Sequence, residues 1–275
     1  MSEKNIKKAV REGYAKVATE GSCCSGPISN CCGQTDLAKE ISSNIGYSTD
    51  DMEKVPDGSN LGLGCGNPIA LASLKKGETV LDLGSGAGFD CFLAAEKVGL
   101  EGKVIGVDMT PEMLDKAREN AKKDKYYNVE FRLGEIENLP VPDGSIDIII
   151  SNCVINLSPD KSGVFSEAFR VLKPGGRIMV SDIVLTKELP DDIRNNISAY
   201  IGCISGAIIK QDYLNAIKDS GFKKIKILDE TRFPINYIVS DDTAVIIKNN
   251  LGLDKEMVND LQESILSIKV YALKE

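Results

Sequence analysis

Between Lys76 and Asp182 the hydrophobic positions change period again and again. The runs ETVLDLG, KVIGVDM, NVEFRLG, IDIIIS and RIMVSDI are short and rich in Val and Ile, as strands buried on both faces require. Amphipathic stretches at Asp90–Val98, Pro111–Lys123 and around Val164–Leu172 alternate with them, and the turn KPGG precedes the last run. This alternation predicts βαβα order and a parallel, doubly wound sheet covered by helices. Ahead of it, residues 2–20 read as a charged amphipathic helix, with Ile6, Val10, Tyr14 and Val17 at three- and four-residue steps. After Asp182 the pattern turns helix-like in DDIRNNISAYIGCI and QDYLNAIKDSGF, then strand-like over Lys223–Leu228 and near the end. The expected organisation is an N-terminal helix and cysteine-rich segment over 1–60, an α/β domain over 61–190 and a smaller C-terminal α+β domain over 191–275.

Composition narrows the chemistry. The 275 residues carry 33 basic and 41 acidic side chains, a formal charge of -8, which is the wrong sign for a surface that coats a nucleic-acid duplex. The start, MSEKNIKKAVREGYAKV, has no apolar core of a signal peptide, and no run approaches the roughly 18 apolar residues of a membrane span. The expectation is a cytoplasmic protein whose partners include neither nucleic acid nor membrane. The absence of histidine excludes Ser-His-Asp and Cys-His catalysis and histidine-ligated zinc. Eight cysteines in a reducing compartment point instead to thiol chemistry, catalytic or metal-binding.

Two constellations carry that chemistry. In VLDLGSGAG, Val80 to Gly88, the glycines Gly84, Gly86 and Gly88 follow a strand and open a helix, permitting a tight turn against a ligand. Asp108, at the end of the next strand, can accept both hydroxyls of a ribose, so the expected ligand is a nucleoside, although a dinucleotide-binding or purely structural turn can show the same glycines. The second constellation is sulfur. Cys65 lies between glycines, Cys153 follows the fourth strand, and Cys203 lies after the fifth. In a doubly wound sheet the carboxyl end of strand four shares a crevice with that of strand one, which puts Cys153 beside the ligand. Taken singly, each of these cysteines reads first as a small buried hydrophobe, as Cys91 does within DCFLA. Residues 21–33, GSCCSGPISNCCG, form a thiol-rich loop.

Over Thr79–Asp182 the sequence resembles class I S-adenosylmethionine-dependent methyltransferases: DLGSGAG, Asp108, GEIENLP (Gly134–Pro140) and LKPGG (Leu172–Gly176) occur in that family's order. The resemblance implies a Rossmann-like sheet with S-adenosylmethionine held by Asp82, Gly84, Ser85, Gly86, Asp108, Met109, Glu135, Ile136 and Asn152. From about Tyr47 to Phe222, the strings LGCGNP, SNCVINLSPDK and GCISGA further resemble the three cysteine motifs of arsenite methyltransferases. By that resemblance Cys153 and Cys203 bind trivalent arsenic, and Cys65 is a third thiol engaged in binding and in a redox step. Many family members carry an aromatic residue where Leu63 stands here. The implied activity is methylation of thiol-bound arsenite for detoxification, with a thioredoxin- or glutathione-type reductant restoring the thiols. Cys23, Cys24, Cys31 and Cys32 are candidates for a redox or arsenic relay. The inventory agrees: arsenic(III) is soft and prefers thiolates, and its lone pair needs no base to unmask it. Two other readings use the same residues, a methyltransferase for a small organic acceptor such as a quinone, and a non-catalytic metalloid-binding thiol protein.

Overall fold

The computed structural model describes residues 3–20, 34–194, 200, 202–233 and 263–275. Seven strands, β1 (Thr79–Leu83), β2 (Lys103–Asp108), β3 (Val129–Leu133), β4 (Ile146–Asn152), β5 (Leu172–Leu185), β6 (Lys223–Arg232) and β7 (Ile265–Leu273), form one sheet in the order β3-β2-β1-β4-β5-β7-β6. The first five are mutually parallel, with β1 between β2 and β4, so the strand order reverses beside β1 and opens a crevice at the carboxyl ends. Strand β7 runs antiparallel to both β5 and β6.

The sequence dictates this locally. Ile146, Ile148, Ile149 and Ile150 of β4 are all fully buried, as a central strand covered on both faces demands. Helix α5 (Phe89–Val98) buries Cys91, Phe92, Leu93, Ala94 and Ala95 against one face. Helix α6 (Pro111–Lys123) starts on a proline whose missing N–H costs nothing there, and ends on Lys122 and Lys123, which suit the negative end of its dipole. On the opposite face, α7 (Lys161–Val171) is capped by Asp160, whose side chain accepts from Gly163 N at 2.8 Å. The KPGG turn lies within the bounds of β5, where the register against β4 slips between Ile146 and Ile148, so the strand carries an irregularity rather than starting after a separate turn.

Four N-terminal helices, α1 (Glu3–Glu20), α2 (Gln34–Asn44), α3 (Thr49–Glu53) and α4 (Pro68–Leu71), precede the sheet. Val10 of α1 is fully buried in the same apolar cluster as Cys65, Cys153 and Cys203, so the first helix covers the carboxyl end of the sheet. Burying that side chain contributes on the order of 1.5 kcal/mol. Residues 191–275 do not build a separate sheet in their described part. Helices α8 (Asp191–Arg194) and α9 (Lys210–Asp219) lead to β6 and β7, and Ile268, Val270 and Ala272 of β7 share one core with Leu81 and Leu83 of β1. The parallel half of the sheet ends with β5 at Leu185, and the described β6 and β7 extend the same sheet and core.

Candidate functional site

The glycine loop between β1 and α5 divides its work between packing and ligand. Gly84 has φ 67, and a Cβ there would meet Val154 Cγ2 at 2.3 Å. Gly86 also has a left-handed φ, 51, but a Cβ there would meet nothing within 4 Å. The first glycine is held by the fold and the second opens onto space. Gly84→Ala is accordingly expected to cost roughly 2–4 kcal/mol of stability through overlap and strain. Gly86→Ala is expected to cost only about 1 kcal/mol but to weaken cofactor binding about tenfold or more. Thermal melts and cofactor titrations of both variants separate the two effects.

Beside this opening lie three carboxylates. Asp82 accepts from Cys91 Sγ at 3.2 Å, Asp90 from Tyr47 Oη at 2.6 Å, and Asp108 from the backbone N–H groups of Gly86 at 3.0 Å and Thr110 at 2.8 Å. Burial pushes all three upward, Asp90 to about 6, and the neighbouring Asp90 and Asp108 charges push Asp82 further. Among the described residues none of the three has a cationic side chain acting on it. A cluster of desolvated carboxylates beside an open glycine suits a ligand that brings positive charge and hydroxyls. Ser85 Oγ, buried without a hydrogen-bond partner, offers one more polar atom to it. These features fit S-adenosylmethionine, which is cationic at its sulfonium and amino groups. Of the other expected cofactor residues, Ile136 is buried and Met109 packs against the cysteine-containing cluster. Glu135 and Glu137 are both paired with Lys7 of α1, at 2.7 and 3.1 Å.

The thiols converge one layer away. Cys153 follows β4 directly, and its N–H donates to Ser181 O at 2.8 Å, pinning the turn to β5. Cys203 Sγ donates to Cys153 O at 3.0 Å. Both cysteines hold left-handed backbone angles, φ 62 and φ 64. Non-glycine residues reach that region at a cost of about 1–2 kcal/mol, so the surroundings fix these two positions firmly. Cys65, Cys153 and Cys203 are all free and buried. Burial raises the Cys65 and Cys153 thiols above their ordinary range, and the adjacent thiols of Cys203 and Cys65 raise Cys153 further. Without a ligand, Cys65 and Cys153 are therefore neutral thiols near pH 7. Cys23, Cys24, Cys31 and Cys32 lie outside the described residues.

Several contributors were not singled out in the sequence. Asp182, the end of the run RIMVSDI, is completely buried, and its carboxylate lies with the Cys65 and Cys153 sulfurs so that the three donor atoms are all within 4.8 Å of one another. Tyr213 of α9 donates to it at 3.0 Å. The readable signal was a carboxylate inside an apolar strand. Tyr47 and Asp90 join the site through Asn152, which was expected as a cofactor contact. Asn152 Nδ2 donates to Gly66 O at 2.7 Å and Tyr47 Oη at 2.9 Å and lies 3.3 Å from Asp90 Oδ2, while Asn152 Oδ1 accepts from Cys65 N at 3.0 Å. One amide thus ties the Cys65 loop to Tyr47 and Asp90. Cys91, expected as packing, is buried but also donates its hydrogen bond to Asp82.

Asp182 also gives a pH signature. Burial holds its carboxyl up at about 7, with the Tyr213 hydroxyl and the Lys161 charge pulling it down. Between the reference value of 3.8 and about 7 the folded protein keeps a proton that the unfolded chain releases, so this group loses stability as pH rises through that window. Thermal melts of the reduced, ligand-free protein should show Asp182→Asn gaining on wild type at pH 8 relative to pH 5. A difference independent of pH would contradict the assignment.

Comparison with known proteins agrees with this geometry. A family model described as a methyltransferase domain matches residues 74–221. An arsenite methyltransferase of Halobacterium salinarum is 51% identical over 228 residues, covering 80% of this chain and 58% of the relative. One from Aquipseudomonas alcaligenes is 42% identical over 174 residues, covering 61% and 50%. The crystal structure of an arsenic(III) S-adenosylmethionine methyltransferase from Chlamydomonas reinhardtii superposes with a TM-score of 0.63 at 34% identity, covering 87% of this chain and 73% of that one. The match spans 58% and 50% of the length of these two curated relatives. With the sheet order, the glycine loop and the three converging thiols, these similarities establish that the chain belongs to the arsenite methyltransferase family of class I S-adenosylmethionine-dependent methyltransferases.

Proposed function

We propose that this protein methylates trivalent arsenic bound by Cys65, Cys153 and Cys203, using S-adenosylmethionine as the methyl donor. The observation that carries the reading is the convergence of buried free thiols on the carboxyl end of β4, one residue beyond the amide that reaches Asp90 on the cofactor side. Neutral thiols suit arsenous acid. Each hydroxide on arsenic takes one thiol proton and leaves as water while a sulfur replaces it, so three S–H groups and As(OH)3 give a trithiolate and three waters. No general base is required, in keeping with a chain that has no histidine. S-adenosylmethionine supplies an electrophilic methyl group, and thiol-bound arsenic retains the lone pair that receives it.

The protein contributes mainly position. Asp82, Asp108, Ser85 and the open Gly86 hold the cofactor, and Met109, Glu135 and Ile136 line its other side. The left-handed backbone at Cys153 and Cys203 fixes the sulfurs, and Asn152 relates the Cys65 loop to the cofactor carboxylates. Helix α1 excludes water through Val10 and is clipped over the crevice by Lys7. Holding both reactants in fixed relation removes most of the entropic barrier to a bimolecular transfer.

Methyl transfer raises arsenic formally to the pentavalent state, and its return to trivalent takes two electrons. Two neighbouring thiols supply them by forming one disulfide, and the Cys65 and Cys153 sulfurs, within 4.8 Å of each other, are the pair placed for it. Exchange with one thioredoxin-type dithiol or two glutathione-type thiols then restores the pair, and Cys23, Cys24, Cys31 and Cys32 are candidate relays in it. The physiological outcome of such an activity is arsenic detoxification. Anaerobic incubation with arsenite, S-adenosylmethionine and a thiol reductant tests the reading: methylated arsenic and S-adenosylhomocysteine should rise together. Cofactor consumption that is spared by cysteine alkylation would point to an organic acceptor instead.

A further inference from the structure

We propose that Cys65, Cys153 and Asp182, with Cys203 beside them, also form a binding site for a thiophilic divalent cation of the zinc class, which competes with arsenite. Trivalent arsenic takes three ligands and keeps a lone pair, and three thiols already satisfy it. Asp182 is therefore a fourth donor beyond what arsenic needs. Three sulfurs and one carboxylate oxygen are a full tetrahedral set for zinc or cadmium, with the softness such ions favour.

The geometry supports this assignment. The donor atoms of Cys65, Cys153 and Asp182 all lie within 4.8 Å of one another, and all three residues are buried. Tetrahedral zinc, with Zn–S of about 2.3 Å and Zn–O of about 2.0–2.2 Å, spaces its donors by roughly 3.5–3.8 Å, so a closure of about 1 Å brings these three donors onto one ion, and Cys203, whose Sγ lies 3.0 Å from Cys153 O, is the neighbouring thiol for the fourth position. The carboxylate is oriented from behind: Tyr213 Oη donates to Asp182 Oδ2 at 3.0 Å, leaving Oδ1 with the Ile183 N–H at 3.1 Å. Such outer contacts hold a metal-binding carboxylate in place. Lys161, buried and donating to Ser158 O at 3.1 Å, faces Asp182 and Cys203 and balances the charge of an assembled thiolate site. On binding, the thiols release their protons to solvent and no electrons move. The proposal shares its sulfurs with the arsenic reading, but its test uses neither arsenic turnover nor cofactor in its first arm.

The test uses the full chain with Cys23, Cys24, Cys31 and Cys32 all changed to Ser, reduced and anaerobic, so that only the buried thiols compete. Zinc is titrated against a chromophoric chelator, and arsenite is then added. One zinc per chain is expected, displaced stoichiometrically by arsenite. Asp182→Asn, which keeps an acceptor for Tyr213, should weaken zinc about tenfold or more. It should change arsenite affinity by less than about threefold, because arsenic uses only sulfur. Cys153→Ser should lose both ligands. Zinc binding unaltered by Asp182→Asn, simultaneous binding of zinc and arsenite, or no retained zinc would each overturn the proposal. X-ray absorption of the cadmium-loaded parent gives a readout that needs no Asp182 variant: an oxygen neighbour beside sulfur is expected, and an all-sulfur shell would also overturn it. Failure of arsenite alone to bind, with zinc still bound through Asp182, would instead count against the arsenic reading.

Discussion

Cys153→Ser should abolish arsenite methylation, by roughly a thousandfold or more, while cofactor affinity stays near that of wild type. The reason is chemical and local. A serine hydroxyl has almost the shape of the thiol but is a hard donor, and arsenic(III) exchanges little of its hydroxide for it. The turn is expected to survive, because the left-handed φ of 62 and the hydrogen bond from residue 153 N to Ser181 O belong to the backbone. Asp82 and Asp108, proposed to hold the cofactor, bond to Cys91, Gly86 and Thr110 and make no hydrogen bond to this sulfur among the described residues. Arsenic speciation, together with a cofactor titration by calorimetry, checks both halves. Substantial turnover by the variant would remove Cys153 from the arsenic site.

Asn152→Asp is the second change with a large expected effect. The two side chains are nearly isosteric, so Cys65 N keeps its acceptor. Both amide N–H donations are lost, however, to Gly66 O and Tyr47 Oη, and a new carboxylate faces Asp90 across the former 3.3 Å contact. A buried polar network broken on one side costs about 1–3 kcal/mol per orphaned group, and an unpaired buried charge costs more. The Cys65 loop should come away from the cofactor side, and the methylation rate should fall about a hundredfold with arsenite still bound by Cys153 and Cys203. Measuring arsenite stoichiometry beside the single-turnover rate distinguishes misplacement from loss of ligands. An unchanged rate would show that the amide does not position Cys65 for the reaction.

The parallel half of the sheet was legible because its signals are local. Val and Ile runs, the glycine loop and Asp108 all declare themselves within a few residues, and the structure sets β1 beside β2 and β4 as that pattern requires. The three cysteines were singled out through the strings around them; in the structure the Cys65 and Cys153 sulfurs lie together with Asp182, and Cys203 donates to Cys153 O. What escaped was non-local. Pairing of Arg177 with Leu273 joins residues nearly a hundred positions apart, and no periodicity near either one announces that β7 inserts between β5 and β6. Tyr47 meets Asp90 across 43 positions, so a network linking the N-terminal segment to α5 cannot be read from spacing. The left-handed backbone at two cysteines is likewise unreadable, because cysteine has no preference for it. Asp182 was visible as a residue but not as a donor, since only the fold brings Tyr213 and the thiols to it.

The account stands on one claim, that arsenic held by protein thiols is itself the methyl acceptor. The most direct test is a single turnover: the reduced protein is loaded with one equivalent of arsenite, freed of excess by gel filtration, mixed with methyl-labelled S-adenosylmethionine and quenched. The account predicts labelled methyl on the arsenic that the protein carried, with one S-adenosylhomocysteine formed per methyl transferred. Protein that binds both arsenite and cofactor yet forms S-adenosylhomocysteine without labelled arsenic, or forms neither, would contradict it.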